Sequence, residues 1–235
     1  MRTRRLFLNR LDADHEPEDA VIVIDVLRSF TTAAYAFAAG ATTIYPVETI
    51  AGAYRLLRHL PNAVTTGAIG GGDPIPGFDF GNSPLALQGF DFTGRPVIQT
   101  TAAGVRGLNR FRKARALFAG SLVLGSATAR ALRRLAPKEV CFVITGEWVD
   151  RDGDEDIACA DYLEGLIRGE RPDPEIFAAR VRNSDFGRRF QAGTNLNLPT
   201  GDLHLCAEVD RFDFALRATY QDRQLRLDVH RPDGQ

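Results

Sequence analysis

The chain has almost no lysine, since Lys113 and Lys138 are the only lysines among its 29 basic residues. Arginine takes the place of lysine, and its planar guanidinium is suited to bidentate binding of anions. The formal net charge of −1 gives no overall bias toward nucleic acids or anionic membranes. We therefore expect neither of them as a partner.

Cysteine is also scarce, and Cys141, Cys159 and Cys206 are widely spaced without a CxxC pair. This pattern argues against a disulfide framework or a cysteine zinc site, and it is typical of a reducing compartment. The sequence lacks an 18-residue apolar run, and its first twenty residues lack the apolar core of a signal peptide. We expect a cytoplasmic protein without a membrane-spanning segment.

Several catalytic and nucleotide-binding motifs are absent: Walker A, GxGxxG after a strand, HExxH and GxSxG. Their absence argues against a P-loop or dinucleotide-binding site, a zinc protease and a serine hydrolase. The acidic run at 150–156 lacks the spacing and the closing glutamate of a calcium-binding loop. Most of its carboxylates are expected to be solvated.

The most informative stretch covers residues 21–40. Its first four residues are apolar and β-branched, which predicts a strand that is buried on both faces. Asp25 and Arg28 follow this strand, and Ser29 is suited to begin a helix. Open α/β sheets bind ligands at the carboxyl ends of their strands, so Asp25 and Arg28 are candidate site residues. The alternative is a solvated ion pair.

Strand and helix patterns alternate through residue 167, after a predicted loop at 12–19. They predict a three-layer α/β fold with a largely parallel sheet flanked by helices. Residues 212–219 and 224–229 alternate in polarity, which predicts a C-terminal antiparallel hairpin with its turn at Gln221 and Asp222. We expect a single domain over residues 1–235; two lobes, at about 1–120 and 121–235, and a homodimer remain open.

Polar side chains follow four of the predicted strands, and parallel neighbouring strands would bring them to one edge of the sheet. They are Asp25, Arg28 and Ser29; Asp79, Asn82 and Ser83; Thr100, Thr101 and Arg106; and Glu147, Asp154, Glu155 and Asp156. The first and third groups provide arginines, hydroxyls and helix N-termini for an anion. The first and fourth provide carboxylates, which are ligands for Mg²⁺. Together they indicate phosphoryl chemistry.

Five segments within residues 21–170 resemble the 2-phosphosulfolactate phosphatase family. They are IDVLRSFTTAAYAFAAGA, PGFDFGNSP, TTAAGVRGL, AGSL and EDIACADYLEGL, and the later DRFDFAL is also similar. The resemblance implies a hydrolase with an α/β fold of its own. It also implies a magnesium-dependent phosphatase that releases phosphate from 2-phosphosulfolactate to give sulfolactate, a step toward coenzyme M.

The resemblance also implies roles for individual residues. The expected catalytic residues are Asp25, Arg28, Asp79 and Asn82, and the expected substrate-binding residues are Ser29, Ser83, Thr101, Gly104 and Arg106. The expected Mg²⁺ ligands are Asp25 together with Glu155 or Asp156. Arg28 and Arg106 would bind the phosphate or the sulfonate, and backbone amides near Gly104 the other anionic group. Asp25 could serve as a metal ligand or as a nucleophile.

Four positions depart from the family pattern. Ala68 stands where an acidic residue is usual, Ala103 and Val105 replace Asn and Thr, and Asp161 replaces a glycine. A lost carboxylate would weaken metal binding, and the lost polar side chains would change what the turn recognises. The alternatives are therefore a phosphatase with a changed substrate and a non-catalytic protein that binds small anions. A third alternative, a nucleotide-binding domain, has no phosphate-loop motif in its support.

Overall fold

The structure, a computed structural model, describes residues 1–11, 19–70 and 72–231. The loop predicted at 12–19 therefore lies almost entirely outside the described residues. Within them the strands are β1 (Arg2–Phe7), β2 (Ala20–Ile24), β3 (Ile44–Pro46), β4 (Val64–Ile69), β5 (Asp73–Pro74), β6 (Val97–Thr100), β7 (Ala116–Gly120), β8 (Glu139–Ile144), β9 (Ala215–Gln221) and β10 (Gln224–His230). The α-helices are α1 (Ser29–Ala38), α2 (Ile50–Leu57), α3 (Gly104–Arg110), α4 (Gly125–Leu135), α5 (Asp154–Arg168), α6 (Pro174–Asn183), α7 (Asp185–Gln191) and α8 (Thr200–Cys206).

The strands form one sheet in the order β1-β8-β2-β7-β9-β10-β3-β6-β4-β5. Strands β1, β8, β2 and β7 are parallel neighbours, as are β3, β6 and β4. The hairpin β9–β10 lies between these two groups and pairs antiparallel with β7 and with β3. The predicted α/β fold, with a largely parallel sheet and an antiparallel C-terminal hairpin, is confirmed.

The two parallel groups run in opposite directions, because three antiparallel pairings separate β7 from β3. The sequence analysis predicted that the strand-end turns share one edge of a single parallel sheet. That prediction is wrong, because strands that run in opposite directions do not form a single parallel sheet. A hydrogen bond of 2.9 Å from the Gly104 amide to the Asp25 carboxylate nevertheless joins the segments that follow β6 and β2. The carboxyl ends of the two groups meet there.

Strand β2 shows how the sheet is covered on both faces. Its residues are all fully buried. Ile22 and Ile24 pack into a core with α4 to α8, whereas Val21 and Val23 pack into a second core with α1 and α3. Because successive side chains of a strand point to opposite faces, an unbroken apolar run is required between two helical layers.

The hairpin β9–β10 turns at Asp222 and Arg223, one residue later than the sequence indicated. Both have positive φ angles, 52° and 61°. The flanking pair is Gln221 with Gln224, so the loop has two residues, and this backbone matches the twist of an antiparallel hairpin.

Helix α8 was not predicted from the sequence. It has seven residues and includes Gly201, so its length and its composition give little helical periodicity. The two-residue strand β5 was not predicted either; it pairs antiparallel with the end of β4. Among the described residues, no helix is long and apolar enough to cross a membrane.

Candidate active site

Asp25 lies at the carboxyl end of β2, where backbone amides hold its carboxylate. Oδ1 accepts a hydrogen bond from the amide of Ser29 at 3.0 Å, and Oδ2 accepts one from Gly104 at 2.9 Å. A Cβ atom on Gly104 would lie 2.8 Å from Oδ2, so a residue with a side chain would displace the carboxylate. The start of α1 and the start of α3 therefore fix the orientation of Asp25.

Asp156, in the first turn of α5, ties the ends of β2 and β8 together. Its Oδ1 accepts from the amide of Val26 at 2.9 Å, and its Oδ2 accepts from the amides of Thr145 at 3.0 Å and Gly146 at 2.7 Å. The hydroxyl of Thr145 donates to the same Oδ2 at 3.2 Å. Asp156 is thus fully engaged with the backbone.

Glu155 is buried beside these two aspartates. A Cβ atom on Gly146 would lie 2.5 Å from its Oε1, so glycine lets the carboxylate approach the end of β8. Within the described part of the chain, Oε2 is buried and has no hydrogen-bond partner. Burial raises the pKa of Glu155 to about 7. A buried oxygen without a partner is unfavourable, and a bound cation or a proton would relieve it.

The three carboxyl groups interact electrostatically. Burial raises the pKa of Asp25, and burial together with the charges of Glu155 and Asp25 raises the pKa of Asp156 well above its usual range. Arg151 acts in the opposite direction and lowers the pKa values of Asp25 and Glu155. Clusters of ionisable groups with perturbed pKa values are typical of functional sites. Of the three carboxyl groups, all in the described part of the chain, only Asp25 lines a cavity, whereas Glu155 and Asp156 are buried behind it.

Arg28 is the buried cation of the site. Its Nη1 donates to Oδ2 of Asp202 at 2.6 Å, and the side chains are 3% and 0% exposed. The other oxygen of Asp202 accepts from the hydroxyl of Ser83 at 2.7 Å and from the amide of Leu85 at 3.0 Å. The ring of Phe190 lies 5.3 Å from the guanidinium carbon of Arg28. These contacts hold the guanidinium in one orientation.

A cavity of about 110 Å³ opens above these residues. It is lined by Asp25, Leu27, Arg28, Ala68, Gly72, Asn82, Thr101, Ala102, Ala103, Arg151 and Phe186. A second cavity of about 300 Å³ shares Arg28, Gly72 and Asn82 with the first and is also lined by Ser83. Ala68 and Ala103, two of the positions that depart from the family pattern, therefore lie in the wall of the smaller cavity, whereas Val105 is in the core.

The structure brings together part of the set that the sequence singled out. Asp25, Arg28, Asn82 and Thr101 line the smaller cavity, which we call the catalytic cavity. Ser29 lies below it, with its hydroxyl 2.9 Å from that of Thr101.

Asp79, Arg106 and Gly104 have other contacts. The Oδ2 atom of Asp79 accepts from the amide and the hydroxyl of Thr65, both at 2.7 Å, and Asp79 is not a lining residue of the catalytic cavity. Arg106 is exposed, donates to the side chain of Asn9 and is also outside the lining. The amide of Gly104, expected to bind a substrate anion, donates to Asp25.

Sequence reasoning missed Asp202, Arg151 and Phe186. Asp202 belongs to the short helix α8, and only its contact with Arg28 across the fold identifies it. Arg151 lies within the acidic run that the sequence analysis treated as mostly solvated. No local motif marks Phe186, whose ring packs against the Arg151 guanidinium.

The donor set suits a magnesium ion only in part. Among the described residues, no three His, Cys, Asp or Glu side chains are grouped so that they could hold a metal ion. Mg²⁺ commonly takes one or two carboxylates and keeps several waters, so two protein ligands are sufficient. Each Asp25 oxygen accepts one hydrogen bond, and Glu155 Oε2 accepts none, whereas Asp156 Oδ2 accepts three. Asp25 and Glu155 therefore retain lone pairs for a cation.

Comparison with known proteins identifies relatives over most of the chain. The family model for 2-phosphosulpholactate phosphatase matches residues 7–220. A probable 2-phosphosulfolactate phosphatase of Bacillus subtilis is 32% identical over 202 residues, which cover 86% of this chain and 87% of that protein. A protein of the same description from Carboxydothermus hydrogenoformans is 32% identical over 225 residues, which cover 91% and 92%.

Proposed function

The chain belongs to the 2-phosphosulfolactate phosphatase family, and from this premise we propose that it hydrolyses 2-phosphosulfolactate to sulfolactate and phosphate with Mg²⁺ as cofactor. The observation that carries the proposal is the placement of Asp25 and two arginines, Arg28 and Arg151, on one cavity. Two further carboxylates, Glu155 and Asp156, lie close enough for their charges to interact with this group. Carboxylates and guanidiniums around one cavity are the equipment of phosphoryl transfer.

The arginines support binding of an anionic ester. Asp202 holds Arg28 in place, so its guanidinium can bind a phosphoryl oxygen without first reorganising. Arg28 lines both cavities, and Asn82, whose buried Oδ1 has no partner among the described residues, lines the same two. The amide of Asn82 is therefore placed to contact a bound ester.

The carboxylates support a metal-assisted reaction. We assign Asp25 and Glu155 as the ligands, because both keep unused lone pairs. A bound Mg²⁺ would neutralise charge on the phosphoryl oxygens and orient the ester. Asp156 has a positioning role, since its hydrogen bonds fix the segments that carry Asp25 and Gly146.

In the overall reaction a water oxygen forms a bond to phosphorus, and the bond from phosphorus to the ester oxygen breaks. The departing oxygen takes up a proton and becomes the hydroxyl group of sulfolactate. The chain's part in this is to hold the ester between Arg28 and Asp25 and to limit the space around it to a cavity of about 110 Å³.

The proposal is tested by measuring phosphate release from 2-phosphosulfolactate and from a panel of other small phosphoesters, with Mg²⁺ and with EDTA. We expect turnover of 2-phosphosulfolactate that EDTA abolishes and that Asp25→Asn loses. Asp91→Asn, at an exposed loop aspartate, is the matched control and should retain activity.

Other outcomes would redirect the assignment. Metal-dependent turnover of other esters alone would keep the chemistry and reject the substrate. Folded protein that hydrolyses none of the esters but is stabilised against heat by phosphate would be a non-catalytic anion-binding protein. Turnover that is unaffected by EDTA would reject the role of Mg²⁺.

A further inference from the structure

Arg151 is held at the catalytic cavity by its backbone and by an aromatic ring. It exchanges two backbone hydrogen bonds with Trp148, at 3.1 and 3.2 Å. Its guanidinium carbon lies 4.7 Å from the centre of the Phe186 ring, and both residues line the cavity. Stacking on an aromatic face restricts the guanidinium and leaves the N–H groups at its edge available.

The charge of Arg151 has no close anionic partner within the described residues. Its nearest ion pair is with Asp150, at 4.0 Å, and Asp150 is in turn paired with Arg189 at 2.7 Å. Arg28, by contrast, is bound to Asp202 at 2.6 Å. Of the two guanidiniums on the cavity, Arg151 is therefore the one that is not already bound in a short ion pair.

Arg151 is also more exposed to solvent than Arg28. Its side chain is 20% exposed, whereas that of Arg28 is 3% exposed. An anion that enters the cavity therefore meets Arg151 while it is still partly solvated. The negative charges of Asp25 and Glu155 oppose the entry of an anion, and the positive charge of Arg151 compensates for them.

Building on the proposed function, we propose that Arg151 determines substrate specificity by binding the sulfonate of the ester while the phosphoryl group lies against Arg28 and Asp25. A sulfonate stays ionised at every physiological pH, and its oxygens match the parallel N–H donors of a guanidinium. Phe186 positions Arg151 for this contact. The enzyme would thereby select its substrate by the sulfonate, which stays on the product, and not by the phosphoryl group that is transferred.

The test compares two esters that differ only in the sulfonate. 2-Phospholactate carries hydrogen where 2-phosphosulfolactate carries the sulfonate, so the ratio of their kcat/KM values isolates recognition of that group. Arg151→Gln should lower this ratio by about 10- to 100-fold, mainly through KM for 2-phosphosulfolactate, since charge-assisted hydrogen bonds are lost. Arg151→Lys should recover part of the ratio, since it restores the charge without the fork.

Arg189→Gln is the matched control. Arg189 also faces the Phe186 ring, at 5.9 Å, but it is paired with Asp150 and is outside the lining of the catalytic cavity. This variant should leave the ratio within about twofold of the wild type, because only a charge at the protein surface changes.

Two results would overturn the inference. An equal loss of kcat/KM on both esters in Arg151→Gln would mean that Arg151 acts on the phosphoryl group, and an unchanged ratio would mean that it does not contact the sulfonate. If the wild type hydrolyses neither ester, the proposed function fails by itself. Calorimetric binding of sulfolactate then decides: binding at least about 10-fold weaker in Arg151→Gln supports the inference, and equal or absent binding rejects it.

Discussion

Arg28 and Asp202 form a buried ion pair of 2.6 Å between positions that are 174 residues apart in the chain. Arg28 is the last residue between β2 and α1, and Asp202 belongs to α8. The pair therefore joins the C-terminal part of the chain to the catalytic cavity. Since Asp202 also accepts hydrogen bonds from Ser83 and Leu85, it connects three segments through one carboxylate.

Replacing Asp202 should destabilise the protein severely. Asp202→Ala leaves the Arg28 charge buried without a partner, which costs about 3–5 kcal/mol in the free energy of unfolding. Urea denaturation measures this. Glu175→Ala, which removes an exposed ion pair with Arg182, is the control and should cost less than about 1 kcal/mol. Equal effects of the two substitutions would contradict the assignment of Arg28 and Asp202 as the structural centre of the site.

Asp25 and Asp79 should behave differently, although the sequence placed both among the catalytic residues. Asp25→Ala removes a carboxylate from the cavity and should lower kcat/KM by about 100-fold or more. Asp79→Ala breaks two hydrogen bonds to Thr65 and should instead cost about 1–3 kcal/mol of stability. Phosphate release and urea denaturation, measured on both variants, separate these effects. A larger loss of activity in Asp79→Ala than in Asp25→Ala would sink this distinction.

The part of the site that depends on chain neighbours could be predicted from the sequence. The apolar run of β2 identified a buried strand, and Asp25 accepts a hydrogen bond from the backbone of Ser29, four residues later. A predicted strand end indicates where a residue lies in the fold, but it does not indicate which residue its side chain contacts. Arg106 lies in the helix that follows β6, and Asp79 lies in the irregular segment after β5, but their side chains contact Asn9 and Thr65.

Contacts between distant segments could not be predicted in this way. The pairs Arg28–Asp202 and Arg151–Phe186 depend on how α7 and α8 pack against the sheet. Propensity and periodicity carry no information about such packing. The opposite directions of the two parallel groups could not be predicted from the sequence either. They depend on the hairpin β9–β10, which comes last in the chain but lies between the two groups in the sheet.

Gly104 should be essential for activity because of the close approach of Asp25. Gly104→Ala would place a methyl group 2.8 Å from Oδ2 of Asp25 and 2.9 Å from the Phe30 ring, so the carboxylate must move. A displacement of about 1 Å at a reacting group costs about 100-fold in rate. The control is Gly165→Ala in α5, whose methyl would meet the flexible end of Glu170 at 3.2 Å. Phosphate release should fall only in Gly104→Ala, and full activity of that variant would contradict the placement of Asp25.

The raised pKa of Glu155 predicts that stability without metal falls as the pH rises. Burial raises this pKa from 4.5 to about 7, so the folded protein binds the proton more tightly than the unfolded chain. The resulting stability is fully present below about pH 4.5 and is lost as the pH rises through about 7. For this shift the loss amounts to roughly 3 kcal/mol. Asp25 and Asp156 shift in the same direction.

Urea denaturation in EDTA between pH 5 and pH 8 checks this. Glu155→Gln cannot ionise, so it should become more stable relative to the wild type as the pH rises. Glu164→Gln, on the same helix, is the control: although burial opposes it, hydrogen bonds from Thr3 and Arg5 lower the pKa of Glu164. Glu164 is therefore ionised in both states over this range, and its substitution should change stability by a constant amount. A difference between Glu155→Gln and the wild type that is independent of pH would show that Glu155 does not titrate there.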